Sequence, residues 1–181
     1  MRPALPLMMM TALLVPSTVP AQDSAAGAQV KRGEYLVTVG GCHDCHTPWV
    51  MGAGGPEPDM KRGLSGHPQD IVIRAPAKVA EPWSSASSPT NTAWSGPWGV
   101  SFTANLTPDP DTGVLRDFTE QQFIQTMRTG RHQGQGRQIL PPMPWPNYGQ
   151  MTDADLKAVF AYLRQVPAVK NKVPDPIPPM Q

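Results

Sequence analysis

Two cysteines and a histidine within one short segment form the strongest chemical signal in the sequence. Cys42-His43-Asp44-Cys45-His46 contains the only two cysteines of the chain, three residues apart, with a histidine directly after the second. Two thiols at this spacing reach the two vinyl groups on one edge of a porphyrin, and the following residue places an imidazole under the iron. The segment therefore predicts one covalent c-type haem on Cys42 and Cys45, with His46 as the proximal ligand. His43 is expected to point outwards without a role.

Other uses of a cysteine pair fit the sequence less well. A disulfide between Cys42 and Cys45 would close a tiny loop and restrict the unfolded chain very little. A redox dithiol usually follows a strand of a parallel-sheet fold, whereas this pair follows a predicted helix and no βαβ pattern surrounds it. A zinc site needs more ligands, and no second cysteine pair exists. Haem attachment is favoured, and dithiol chemistry is the main alternative.

The opposite face of the iron needs a second ligand or stays open. Six methionines follow residue 21, namely Met51, Met60, Met127, Met143, Met151 and Met180. Met127 and Met151 belong to helical patterns, which indicates packing. Met143 lies outside any predicted helix between prolines that would stiffen its loop, and this suits a weak thioether ligand. His132, in a glycine-rich stretch, is the alternative ligand, and a plain surface loop around Met143 is the competing interpretation.

Three segments show the apolar spacing of helices that could position these residues. They are residues 30–39, residues 120–129 and a segment that begins after Thr152. Thr119 and Thr152 are predicted N-caps, and Gly130 is a predicted C-terminal stop. The apolar face of the last helix consists of Leu156, Val159, Phe160, Leu163 and Val166.

Residues 48–118 show no long periodic segment. The chain has 23 prolines and 16 glycines among 181 residues, which indicates long irregular loops around a bound group. Residues 71–73 are predicted as a short strand and residues 105–113 as a run of turns. Asn105 and Thr107 either form these turns or hydrogen-bond a haem propionate. The tryptophans are expected to pack in the haem pocket or the loops: Trp49, Trp83, Trp94, Trp98 and Trp145.

The first 21 residues have the pattern of a signal peptide. Arg2 precedes a short apolar stretch, and Val19-Pro20-Ala21 offers a cleavage site. The stretch is too short to span a bilayer comfortably, although an uncleaved anchor is the competing interpretation. We expect cleavage after Ala21, a periplasmic location and no transmembrane segment in the mature chain. A flexible segment at 22–29, a domain at 30–174 and a tail at 175–181 are expected to follow.

The charge balance argues against nucleic acid or an anionic membrane as the main partner. The formal net charge is +1 at pH 7. Removal of Arg2 with the leader leaves 14 basic and 14 acidic residues.

Several motifs together resemble the monohaem class I cytochrome c family, and more closely the cytochrome modules of bacterial membrane-bound dehydrogenases. They are Arg32–Leu36 with its Gly33-Glu34-Tyr35 core, Asn105–Asp109, Met143–Leu156 and the aromatic Tyr162. In that family the first and last helices cross, with the glycine and the aromatic residue at their contact. The resemblance implies Met143 as the distal ligand. The sequence departs from the dehydrogenase subunits by having one haem motif where several are common, and from a minimal cytochrome c by a longer segment at 48–99.

These observations together predict a mostly α, class I cytochrome c fold with three to four helices around one covalent haem and long Pro/Gly-rich loops. The expected function is periplasmic electron transfer with His46 and Met143 on the iron, from a dehydrogenase donor to a cytochrome or oxidase acceptor. Two alternatives remain open. One is a haem enzyme or gas-binding protein with an open distal site, and the other is an obligate subunit of a dehydrogenase complex.

Overall fold

The computed structural model describes residues 21–180, so the predicted signal peptide lies outside the described residues except for Ala21. Five helices occur in this part of the chain, two of them only about one turn long: α1 (Ala21–Val39), α2 (Cys42–His46), α3 (Glu120–Thr129), α4 (Trp145–Tyr148) and α5 (Asp153–Leu163). Within residues 21–180, none of the helices combines the length and apolarity that a membrane crossing requires.

Helices α1 and α5 pack against each other at a glycine. A Cβ atom on Gly33 would overlap the carbonyl of Ala158 and lie 2.7 Å from the Cβ of Tyr162. Only glycine permits this approach of the two backbones. The predicted contact of a glycine in the first helix with an aromatic residue in the last helix is confirmed.

Helix α1 is longer than the sequence pattern indicated. It begins at Ala21 rather than Val30, so residues 22–29, predicted as a flexible segment, are helical. Three alanines, Ala25, Ala26 and Ala28, favour the helical backbone there. Their side chains are exposed, and a helix that buries no face leaves no periodic apolar pattern in the sequence.

The predicted ends of α3 and α5 are confirmed. Thr119 and Gln122 form a reciprocal capping box, and Gly130 ends α3 in the left-handed region at φ 65°. Thr152 Oγ1 accepts a hydrogen bond of 3.1 Å from the amide of Asp155 at the start of α5. These helices and α1 enclose one apolar core that consists of Leu36, Val37, Leu64, Leu115, Phe118, Phe123, Ile124, Leu156, Ala158, Val159 and Leu163.

Two small antiparallel sheets lie in the loop region between α2 and α3. One is a hairpin of β1 (Trp49–Gly52) and β2 (Gly55–Pro58), and the other has the order β3 (Ala86–Ser87), β4 (Ala93–Gly96), β5 (Gly99–Phe102). The strand predicted at residues 71–73 is wrong. Ile71 and Val72 are exposed there and belong to neither sheet, so a short apolar run alone does not make a strand.

The chain after α5 folds back onto these loops. Ile177 pairs with Val100 of β5 through two backbone hydrogen bonds of 2.8 and 3.0 Å. The tail from residue 168 onward thus adds an extended segment to the loop half of the molecule.

Candidate haem site

Both cysteines and the following histidine lie on α2, the helix that starts directly after the turn at the end of α1. Gly41 has a φ of 67°, which glycine adopts without strain, and this conformation starts the new helix. One helical turn places Cys42 and Cys45 on the same side, and neither is in a disulfide. With His46 they line one cavity of about 180 Å³. The three predicted attachment residues are therefore together.

His46 is held in one orientation by a backbone carbonyl. Its side chain is buried, and Nδ1 lies 2.8 Å from the carbonyl oxygen of Ala104. Because a carbonyl can only accept, Nδ1 carries the proton and Nε2 keeps a free lone pair for a metal. Burial lowers the pKa of His46, which also favours the neutral imidazole that a metal needs. The sequence did not predict the role of Ala104, because every residue type has a backbone carbonyl that can accept a hydrogen bond.

The environment of the thiols is unlike that of a redox dithiol. Burial raises the pKa of Cys42 to about 11 and raises the pKa of Cys45 as well. In a reactive dithiol the attacking cysteine has a lowered pKa, whereas burial outweighs the helix start at Cys42. Both shifts run opposite to the direction that a redox dithiol needs, so the site favours the haem interpretation over the dithiol alternative.

Both candidates for the second axial ligand lie at the same cavity. Met143 is half-buried in the non-helical segment before α4, and His132 lies in a single turn of 3-10 helix. The His132 ring meets Phe118 edge to face, with the ring centroids 5.0 Å apart. Met127 and Met151, predicted as packing residues, also border the cavity while they pack on the apolar core.

The walls of the cavity suit a porphyrin. They are almost entirely apolar, and among the described lining residues only Arg137 carries a formal positive charge. The aromatic and aliphatic part of the lining includes Leu36, Trp94, Phe102, Leu106, Val114, Leu115, Phe118, Phe123, Ile139, Val159 and Leu163. Two thiols and one imidazole on one turn, facing an apolar cavity, match the donor set of a covalent haem.

Asn105 and Thr107 have structural partners and do not line the cavity. Asn105 Oδ1 accepts from the amide of Thr107 at 3.0 Å and from its hydroxyl at 2.7 Å, while Asn105 Nδ2 donates to the carbonyl of Val169 at 2.8 Å. The turn-forming interpretation of these two residues therefore fits the structure, and the propionate interpretation does not.

Two further expectations differ from the structure. His43 does not point freely outwards, because it is half-buried and its Nδ1 lies 2.8 Å from Thr47 Oγ1. Trp94 lines the cavity as predicted. Trp83 does not line the cavity, and its side chain is 74% exposed rather than packed against the loops. The long loop with Pro82 carries Trp83 outward at the surface.

Comparison with known proteins also indicates a c-type cytochrome. The family model described as Cytochrome c matches residues 30–167. The chain is 28% identical over 160 residues to the cytochrome c subunit of the quinone alcohol dehydrogenase of Gluconobacter oxydans, covering 86% of this chain and 25% of the relative. It is 30% identical over 142 residues to the gluconate 2-dehydrogenase cytochrome c subunit of Pantoea cypripedii, covering 78% and 24%.

A third relative is the fructose dehydrogenase cytochrome subunit of Gluconobacter japonicus, at 27% identity, with 88% of this chain and 27% of the relative covered. The chain thus spans about a quarter of the length of these relatives. The family match covers most of the sequence and includes the single Cys-x-x-Cys-His motif. The chain belongs to the cytochrome c family and binds one c-type haem covalently at this motif.

Proposed function

We propose that this protein is a periplasmic carrier of single electrons in which His46 and Met143 are the axial ligands of the haem. One observation carries the proposal: both cysteines, His46 and Met143 border one apolar cavity. The bound haem supplies a couple between ferrous and ferric iron, and thioether ligation favours the ferrous form relative to two imidazoles. The protein itself is an electron carrier rather than a catalyst.

The side chains of the site suit this role in three ways. The Ala104 carbonyl holds the His46 imidazole in one orientation, and burial favours its neutral form. The apolar lining excludes water, so few dipoles have to reorient when the charge of the site changes. Met143, placed between Pro142 and Pro144, has a stiff backbone that can present a thioether.

The relatives support a dehydrogenase as the electron donor. Their names describe cytochrome subunits of dehydrogenases for alcohol, gluconate and fructose. We infer that this chain accepts electrons from a dehydrogenase of this kind and passes them to a cytochrome or an oxidase. The periplasmic location rests on the pattern of residues 1–21.

The ligand proposal predicts a specific loss in the optical spectrum. In the oxidised protein, Met143→Ala abolishes the weak far-red band that a sulfur–iron bond produces, and the reduction potential falls because the thioether is gone. His132→Ala retains the band, and so does Met60→Ala, which changes a methionine that is 63% exposed. A band that survives Met143→Ala, or that disappears in His132→Ala, contradicts the assignment.

The gas-binding alternative gives the opposite result with an added ligand. If the distal position is open, Met143→Ala leaves the affinity of the reduced protein for carbon monoxide unchanged. If Met143 occupies the position, the same substitution creates a vacancy and the affinity rises strongly. Titration of both proteins with carbon monoxide, followed by absorbance, separates the two functions.

The subunit alternative concerns assembly rather than chemistry. An obligate subunit elutes from a native extract together with a quinoprotein or flavoprotein dehydrogenase. A free carrier elutes at the size of its own chain. Gel filtration of an extract from the native host, monitored at the haem absorbance, distinguishes these cases.

A further inference from the structure

Two loop segments hold His46 from two sides. The amide of Gly66 donates to the carbonyl of His46 at 2.8 Å, and the Ala104 carbonyl accepts from His46 Nδ1 at 2.8 Å. Two backbone hydrogen bonds join these segments to each other: His67 N to Thr103 O at 3.0 Å and Leu106 N to Leu64 O at 2.8 Å. The position of the Ala104 carbonyl therefore depends on what anchors residues 64–67 and residues 103–106.

Asn105 anchors the second segment to the C-terminal tail. It directly follows Ala104, and its side chain is only 1% exposed. Its Nδ2 donates to the carbonyl of Val169 at 2.8 Å, and its Oδ1 accepts from the Thr107 amide at 3.0 Å. Every polar atom of this side chain has a partner within the tail or its own turn, so the residue cannot shift without leaving buried groups unpaired.

Asn171 anchors the first segment to the same tail. Its Nδ2 donates to the carbonyls of Ser65 at 2.7 Å and His67 at 2.9 Å, and its Oδ1 accepts from the amide of Gln69 at 2.9 Å. Thr112 connects the two asparagines, because its Oγ1 accepts from Asn105 Nδ2 at 3.2 Å and from the backbone amide of Asn171 at 3.0 Å.

We propose that Asn105 and Asn171 are positioning residues that hold the Ala104 carbonyl on the proximal histidine and thereby lower the reduction potential. A firm hydrogen bond from Nδ1 makes the imidazole a stronger electron donor, which favours ferric iron. Asn171 and Val169 lie beyond residue 167, where the family match ends. The proposal rests on the proposed electron-carrier function, because a reduction potential matters only for a redox protein. It requires His46 as the proximal ligand but does not require Met143 as the distal ligand.

The test compares haem-loaded variants that each lose one buried side-chain hydrogen-bond anchor. Asn105→Ala and Asn171→Ala are expected to raise the reduction potential, and to speed exchange of the His46 Nδ1 proton with deuterium, measured by NMR on the reduced protein. Ser95→Ala is the matched control, because Ser95 is buried and its Oγ accepts from the Ala77 amide at 2.8 Å, in a different loop. This control is expected to lower the melting temperature without moving the potential.

A milder pair of variants covers the case in which the alanine variants do not fold. Thr112→Val removes the hydroxyl shared by both asparagines, together with its bond to Asp109, while Thr112→Ser retains a hydroxyl. The valine variant is expected to raise the potential and the serine variant to restore it.

The outcomes separate this proposal from the axial-ligand proposal. If the anchor variants match Ser95→Ala in potential and in proton exchange, the asparagines only stabilise the fold and the proposal is wrong. If the wild-type protein lacks the far-red band, Met143 is not the ligand, yet the potential and the His46 proton still report on the anchor.

Discussion

The helical half and the loop half of this cytochrome are held together by different forces. Apolar side chains of α1, α3 and α5 form the core of the helical half. In the loop half, which comprises residues 48–118 and the tail, several of the most deeply buried side chains are polar: Ser65, His67, Thr92, Asn105, Thr107 and Asn171. The cavity for the haem lies between the two halves and takes lining residues from both.

This difference has consequences for how each half tolerates change. Apolar contacts are non-directional, so neighbouring side chains can partly adjust to a new shape. A buried hydrogen bond has a fixed direction, and its loss leaves a donor or acceptor without a partner. The helical half should therefore respond to substitutions by repacking, and the loop half by losing a specific backbone position.

The largest effect is expected at Gly66 in the loop half. Its φ is 76°, and a Cβ atom would lie 2.6 Å from the carbonyl carbon of Ala104. Gly66→Ala combines a strained backbone with a clash at the histidine acceptor and should cost about 4 kcal/mol of unfolding free energy. Urea unfolding of the haem-loaded protein measures this loss. Gly54→Ala is the control, since a Cβ there meets nothing within 4 Å, and equal losses in both variants would contradict the prediction.

A somewhat smaller loss is expected at the helix crossing. Gly33→Ala forces α1 and α5 apart and should cost about 3 kcal/mol of unfolding free energy. Gly27→Ala in the same helix meets no neighbouring atom and should stabilise the protein by about 0.5 kcal/mol, because alanine favours the helical backbone. Thermal unfolding of the two variants tests the contrast, and a stable Gly33→Ala variant would show that the crossing can adjust.

The smallest effect concerns pH and the buried His67. Its Nε2 donates to the Ile71 carbonyl at 2.9 Å and its Nδ1 faces Thr92 Oγ1 at 3.0 Å. Burial lowers the pKa of His67, while the Ile71 carbonyl and the nearby Asp70 act in the opposite direction. Because the unfolded chain binds this proton more readily, the stability contribution is complete above about pH 6.5 and decreases as the pH falls below that value.

One such proton changes the unfolding free energy by at most about 1.4 kcal/mol per pH unit. Denaturant unfolding between about pH 7.5 and about pH 5 should therefore show a smaller pH dependence for His67→Gln than for the wild type. An unchanged slope would mean that other groups account for acid sensitivity.

The features that the sequence predicted correctly are mostly local. Thr119 and Thr152 cap helices through amides three residues away, and the haem motif acts within one turn. The crossing of Gly33 and Tyr162 is distant in sequence, but the family resemblance supplied it. Local chemistry and family pattern thus account for the helical half and for the attachment residues.

The features that the sequence did not reveal depend on partners far along the chain. Asn171 and Ser65 are 106 residues apart, and the identity of an asparagine does not indicate which distant carbonyl its side chain will bind. The Ala104 carbonyl is a backbone atom that every residue type carries. The short strands β3, β4 and β5 also depend on pairing across loops, which the composition of those loops conceals.

The fold-back of the tail also affects the order in which parts of the haem site can form. Val169 and Asn171 follow α5, which ends at Leu163, and their hydrogen bonds to Asn105 and Ser65 join residues 64 and 106 positions apart. Contacts over such sequence separations form slowly, because a long loop must close before they contribute. We therefore expect His46 to acquire its final orientation late in folding, after the helices have formed.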